Sequence, residues 1–245
     1  MNGVALVTYN RANNLSEIIE GILRTTSNCK VVVADDGSTD ETPVIVSKFK
    51  EVYYVRGPNK GVAFNKNRAL FALQNCQYIA LIEDDLVPIQ SGWFEIYKEV
   101  AEWAGIHHFC RVQDKQVVES VPSFSESLKD KKNLTAIYGE SPRGDFTFIT
   151  SAVLHKVGGL NFKFNGVGFA HGEWSRRIAN AGLIPHPLKW IDIQEARDMF
   201  IQKGDTEGGR WAMPKAELKQ QLKVNKAIER NLKTSNYVYE EIDFR

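Results

Sequence analysis

The sequence predicts an α/β protein with a mostly parallel central sheet flanked by helices. Short β-rich runs alternate with helical patterns through the first half, which is the signature of βαβ units. The run YIALI at 78–82 is continuously apolar, as a strand buried on both faces must be. Acidic clusters stand at the ends of two of these runs, where open α/β sheets meet their ligands. A length of 245 residues allows one large domain with a small appendage. We expect the main domain over 1–200, in halves of about 1–110 and 111–200, and over 201–245 a Gly-rich loop and a helical C-terminal tail.

VALVTYN at 4–10 reads as the first buried strand. A helix follows from about Asn13 to Thr26, with Leu15, Ile18, Ile19, Ile22 and Leu23 on one side. KVVVADD at 30–36 is the second strand, Gly37–Asp40 a turn, and Thr39 or Asp40 caps a helix starting near Glu41 and Thr42. VYYV at 52–55, a helix within 61–74 and YIALI continue the alternation. Beyond Pro88, Trp93, Ile96, Tyr97, Val100 and Trp103 recur at helical spacing, which makes both tryptophans core residues. The polar segment 111–145, with the KDKK cluster at 129–132, reads as loops and short strands. FTFIT at 146–150 restores order and is followed by a helix near 151–157, a Gly-Gly turn and a helix through 173–181. His107 and His108 begin or flank a strand.

Lys plus Arg total 31 against 30 Asp plus Glu, a net charge of +1, so no global field draws the chain to nucleic acid or an anionic membrane. No run approaches the roughly 18 apolar residues of a membrane span. The three widely spaced cysteines form neither a zinc motif nor a disulfide framework. A cytoplasmic protein, soluble or peripheral to a membrane, is the expectation.

Asp35 and Asp36 end the second strand, where a carboxylate accepts hydrogen bonds from a nucleotide base or ribose, or else caps the next helix. Glu83, Asp84 and Asp85 crowd three carboxylates at the end of an apolar strand, and a divalent cation such as Mn²⁺ or Mg²⁺ relieves that repulsion.

The segments VALVTYNRANNL, VVVADDGSTDET, GVAFNKNRAL, YIALIEDDLVPIQSGWFE and FITSAVLHKVGGLNFKFNGVGF resemble family-2 glycosyltransferases, in order and spacing, over about residues 3–190. The ADDGS wording looks like the bacterial chondroitin-polymerase type. The resemblance implies the GT-A fold, a Rossmann-like sheet with a donor half and an acceptor half. It also implies metal-dependent transfer, with inversion, of a hexosyl or N-acetylhexosaminyl group. The donor would be a nucleotide sugar, usually a UDP-sugar, and the acceptor the hydroxyl of a carbohydrate or lipid-linked partner, in polysaccharide or glycoconjugate synthesis.

Carried over by position, Thr8 and Asp36 would contact the base with Asp35 in support, Asp84 the ribose, and Asp85 the metal. Lys66 stands where the family's arginine is usual, with Arg68 nearby to share its nucleotide-binding work. His171 falls where the base aspartate is usual and Glu173 on the following acid; either can accept the acceptor's proton, and His171 can instead ligate the metal or serve structure alone. His186 either approaches the metal or is a buried, hydrogen-bonded histidine. Trp174 either stacks on a sugar ring or packs under its helix.

Lys203, Arg210 and Trp211 flank the Gly-rich loop at 204–209 and suggest a lid over a diphosphate. Lys215, Lys219, Lys223, Lys226, Arg230 and Lys233 form one stripe on the 214–233 helix, beside Leu218, Leu222 and Leu232; it is a solvated face or a contact for an anionic membrane or partner. A nucleotidyltransferase is disfavoured, because TYNRANNL lacks the Gly-rich, Arg-containing loop that holds a triphosphate. A non-catalytic nucleotide- or carbohydrate-binding module of the same fold is the alternative.

Overall fold

A computed structural model describes residues 1–113, 134–139, 141–184, 190–203, 214–233 and 239–242. Its sheet begins with four parallel strands, β1 (Asn2–Thr8), β2 (Cys29–Asp35), β3 (Val52–Arg56) and β4 (Tyr78–Glu83). A short strand, β5 (Leu86–Pro88), follows the acidic turn, and β6 (His108–Gln113), β7 (Ala136–Tyr138) and β8 (Ser141–Thr150) come from the second half. The six-stranded sheet runs β3-β2-β1-β4-β8-β6, with β8 antiparallel to both β4 and β6. The expected mostly parallel sheet is therefore present, and β8 starts five residues before the expected FTFIT run.

The crossovers are helices α1 (Ala12–Thr25), α2 (Thr42–Val46) and α3 (Val62–Ala72). α1 buries Leu15, Ile18, Ile19 and Ile22 completely, each worth about 1.5–3 kcal/mol relative to exposure. Helix α4 (Trp93–Ala104) adds Trp93, Phe94 and Tyr97 to an aromatic layer with Phe146 and Phe148. Trp103 corrects the expectation of a second core tryptophan, because it lies at the end of α4 and is 37% exposed.

Helix α5 (Ser151–Lys156) and the Gly158–Gly159 turn lead to α6 (Ala170–Asn180), which starts three residues before the expected point. Strand β9 (Ile191–Ile193) pairs with β7, helix α7 (Gln194–Arg197) follows, and β10 (Phe200–Gln202) pairs with β5 beside the acidic turn. The tail helix is α8 (Lys215–Lys233), as expected. Asn225 pins it, its buried side-chain amide donating to the carbonyls of Asn165 and Val167. No helix among the described residues is long and apolar enough to cross a membrane.

Candidate active site

Strand register assembles the site. Thr8 lies opposite Asp35 on β2, and Val7 opposite Glu83 on β4, so the carboxyl ends of three strands bring Thr8, Asp35, Asp36 and Glu83–Asp85 together. Ile82 pairs with Phe146 across the antiparallel β4–β8 ladder, which sets Gly144 and Asp145 at the same edge. A cavity of about 360 Å³ opens there. Its walls are Thr8, Tyr9, Arg11, Asp36, Asn59, Gly61, Asn65, Glu83 and Asp84, closed by Gly166 and Val167 and by Glu217 from α8.

The two strand-end aspartates divide the work between them. Asp36 reaches the cavity wall, and its carboxylate accepts the backbone N–H groups of Lys60 (3.1 Å) and Gly61 (2.7 Å). Burial raises its pKa, and those bonds with nearby Arg68 offset the shift in part. Asp35 is fully buried and accepts from the Ser38 N–H and hydroxyl and from the Tyr54 hydroxyl, so it builds the turn that presents Asp36. Arg68 donates to the carbonyls of Asp35 and Pro58 and to the Asn65 side chain; its charge stays within the wall behind Asp36, which corrects the expected direct contact with nucleotide.

Lys66 is corrected in the same way. Its ammonium has three donors and no exposed surface, and all three find acceptors: Glu83 Oε1 and the Gly144 carbonyl, both at 2.5 Å, and His171 Nε2 at 2.9 Å. An ammonium only donates, so His171 presents its lone pair at Nε2 and carries its proton on Nδ1. Burial, then the Lys66 charge, hold the His171 pKa well below its ordinary value and keep the ring neutral.

Asp84 accepts the Tyr9 N–H at 3.2 Å, and burial pushes its pKa up to about 7. Asp85 rises to about 6, first through burial and then through the charges of Glu83 and Asp145. One oxygen of Asp85, Oδ1, is buried without a hydrogen-bond partner. That orphaned oxygen fits a cation ligand. Among the described residues no group of three His, Cys, Asp or Glu converges on a common point, so the donor set fits a cation completed by phosphate oxygens and water, not a closed protein cage.

Two further candidates, both on α6, are buried. Glu173 is 1% exposed and forms a two-pronged ion pair with Arg177, which also donates to the carbonyls of Val157 and Gly159. That arrangement clamps the Gly-Gly turn to the helix and closes the carboxylate to a substrate. Trp174 is wholly buried and donates its indole N–H to the Gly158 carbonyl, so it packs under the helix and has no face for a sugar.

The family model for glycosyl transferase family 2 matches residues 4–149. The chain belongs to that family. Among curated relatives, the glycosyltransferases GlyG and GlyA of Streptococcus pneumoniae are each 28% identical, over 40% and 41% of this chain. The matched regions span only 35% and 15% of those relatives. Solved structures share the fold. Glucosyl-3-phosphoglycerate synthase of Mycobacterium tuberculosis, crystallised with Mn²⁺, UDP and glucosyl-3-phosphoglycerate, superposes with a TM-score of 0.57 at 15% identity, covering 95% of this chain and 79% of that one. TarS of S. aureus, in complex with UDP, gives 0.55 at 16% identity over 74% and 56%. The mannosyltransferase PcManGT of Pyrobaculum calidifontis, with GDP-Man and Mn²⁺, gives 0.54 at 18% identity over 74% and 52%.

His186, Arg210, Trp211 and the loop at 204–209 lie outside the described residues. Lys203 is described: its N–H donates to the Asp85 carbonyl and its ammonium pairs with Glu17 at 2.7 Å, which ties the start of that loop to the acidic turn. The stripe lysines of α8 are exposed, whereas Leu218, Leu222 and Leu232 turn partly inward, so the leucines do not extend the basic face as an apolar surface. Sequence reasoning counted Glu83 in the acidic cluster without giving it a role of its own, and it left Asp145 and Glu217 out of the site, since no local pattern marks them.

Proposed function

We propose that this domain transfers a sugar from a nucleoside diphosphate donor, a UDP-sugar by preference, to an acceptor hydroxyl with inversion at the anomeric carbon. The observation that carries this reading is the acidic, strand-end cavity beside a buried carboxylate oxygen of Asp85 that has no partner. Asp36 and Thr8 would hold the base, and Asp84 the ribose hydroxyls. Asp85 would hold Mn²⁺ or Mg²⁺, which when bound supplies positive charge to the departing diphosphate. Tyr9 and Arg11 line the same cavity as Asp84, and the Arg11 cation offsets part of the upward pKa shift that burial imposes on Asp84.

His171 is the better of the two base candidates, since Glu173 is committed to Arg177. To take a proton at Nε2 it must first release Lys66, whose charge Glu83 can still satisfy. A non-catalytic nucleotide-binding module is the second reading, favoured by that engagement of both base candidates. Polymeric or lipid-linked acceptors, and contact of the exposed α8 lysines with an anionic surface, belong to the first reading.

Calorimetry with UDP and Mn²⁺ tests the donor site. Wild type should bind in a metal-dependent way, and Asp36→Ala should lose affinity while its melting temperature holds. Normal binding by a folded Asp36→Ala chain would reject the site. Metal-dependent UDP release from a panel of UDP-sugars, with and without acceptors, separates the enzyme from the binding module.

A further inference from the structure

The antiparallel β6–β8 ladder is interrupted at the site. Cys110 pairs with Thr147 and Val112 with Pro142, so β8 places four residues, 143–146, opposite the single Arg111. Bulges of this kind re-aim side chains and collect next to functional sites. Phe146 remains paired with β4, and the segment thrown out of register is Arg143–Gly144–Asp145.

This segment sits between the two halves of the site. The Gly144 carbonyl accepts Lys66, and a Cβ at Gly144 would lie 2.7 Å from the His171 ring and 3.2 Å from Glu83. Asp145 Oδ2 accepts from Arg111 and from Arg143, each at 3.0 Å. Both guanidiniums also donate to the Gln202 side-chain oxygen, at 2.9 and 3.1 Å, and Gln202 in turn donates to the Asp85 carbonyl.

Lys66 is matched directly by Glu83, whereas the direct partners of the two guanidiniums among the described residues are one carboxylate and a neutral amide, with the charges of Asp85 and Asp192 felt at longer range. The cluster also holds polar atoms without partners: Arg111 Nε and Asp145 Oδ1 are buried and make no hydrogen bond, although both residues are more than nine-tenths buried. Arg143 keeps 23% of its side chain exposed, outside the cavity that Asp36 and Asp84 line, and its chain neighbour Gly144 abuts the His171 ring. A partly exposed guanidinium at that edge can meet a group that approaches His171, and a planar fork of N–H donors is suited to phosphate or carboxylate oxygens.

We propose that Arg143, held by Asp145 and backed by Arg111, forms an anion subsite on the acceptor side, and that the acceptor carries a phosphate or carboxylate group. This rests on the glycosyl-transfer reading above, and it adds the acceptor's chemical class.

The test titrates methyl phosphate, and acetate in parallel, into the full chain with and without saturating UDP and Mg²⁺, followed by NMR or calorimetry. Wild type should bind one of the two anions, which names the group. Arg143→Gln should weaken that binding about tenfold or more, as loss of a charged hydrogen-bond donor does, whereas Arg143→Lys should retain part of it and UDP affinity should not change. No anion binding by wild type under either condition, or equal binding by Arg143→Gln, overturns the proposal. A loss of UDP affinity in Arg143→Gln as large as the loss of anion affinity also overturns it, because the guanidinium then serves the donor's diphosphate. If wild type binds no UDP, the donor reading falls, and the titration of the free chain still decides whether the anion subsite exists.

Discussion

Lys66→Met tests the electrostatic centre of the site. The substitution keeps the length of the side chain and removes an ammonium that satisfies Glu83, the Gly144 carbonyl and His171 Nε2 together. Breaking a buried ion pair from one side costs about 3–5 kcal/mol, because the partner charge stays behind. Glu83 keeps 29% of its side chain exposed, so water takes up part of its charge and the lower end, about 3 kcal/mol, is expected. For a domain of this size that is a fall in melting temperature of about 6–12 °C. The second signature is at His171, where the Lys66 charge depresses the pKa after burial does. Its removal should move the His171 titration toward the ordinary histidine range without reaching it, since burial remains. Thermal unfolding and NMR titration of the ring measure the two effects. A variant as stable as wild type, with an unmoved His171 titration, would refute the assignment of Lys66 as the group that fixes both neighbours.

Asp85→Asn should abolish the response of UDP affinity to Mn²⁺ in calorimetry. Asp85 also holds its proton more tightly folded than unfolded, so its native charge costs stability above pH ~6, and the same variant should melt higher than wild type at pH 7 in the absence of metal. Glu173→Gln should cost about 3–5 kcal/mol in urea unfolding by stranding Arg177; a stable fold with lost turnover would instead make Glu173 the base. His108 is buried and its pKa falls to about 4, so the unfolded chain binds this proton first, and stability is complete above pH ~6.5 and lost as pH falls toward 4. At about 1.4 kcal/mol for each pH unit this is worth about 3 kcal/mol, and an acid unfolding profile for His108→Gln that keeps the same slope between pH 6 and 4 would remove His108 from the account.

The first half of the fold was legible because each element carries its own local pattern. β1, β2 and β4 are apolar runs ending at polar residues, α1 repeats its apolar side chains at helical spacing, and connections between them are short. Beyond residue 105 the pattern weakens for a physical reason. β8 begins as Ser-Pro-Arg-Gly-Asp, a polar stretch with a proline and a glycine, and it is a strand because its neighbours β4 and β6 offer ladder partners. Trp103 lies ten residues after Trp93, about 80° round the helix from it, so it falls at the margin of the buried face in the last turn before the αL residue Gly105 and stays 37% exposed.

At the site, sequence order marked which acids cluster and gave no information on what answers them. The DDGS and EDD turns are contiguous, so they could be read as clusters. The cations that balance them are distant along the chain: Lys66 meets Glu83, 17 residues on, and His171, 105 residues on. A lysine inside a helix normally reads as a solvated charge; here the missing side chain at Gly144 leaves room for β8 against His171 and Glu83, the two side chains that with the Gly144 carbonyl enclose this one. The same holds for Glu173 and Trp174, whose adjacency to His171 suggested a shared catalytic face. Two residues apart on a helix is about 200°, so His171 and Glu173 leave on opposite sides: His171 meets Lys66, whereas Glu173 holds Arg177, which binds the Gly159 carbonyl, and Trp174 donates to the Gly158 carbonyl. Helical geometry therefore separates the residue that can face a substrate from the two that hold it in place.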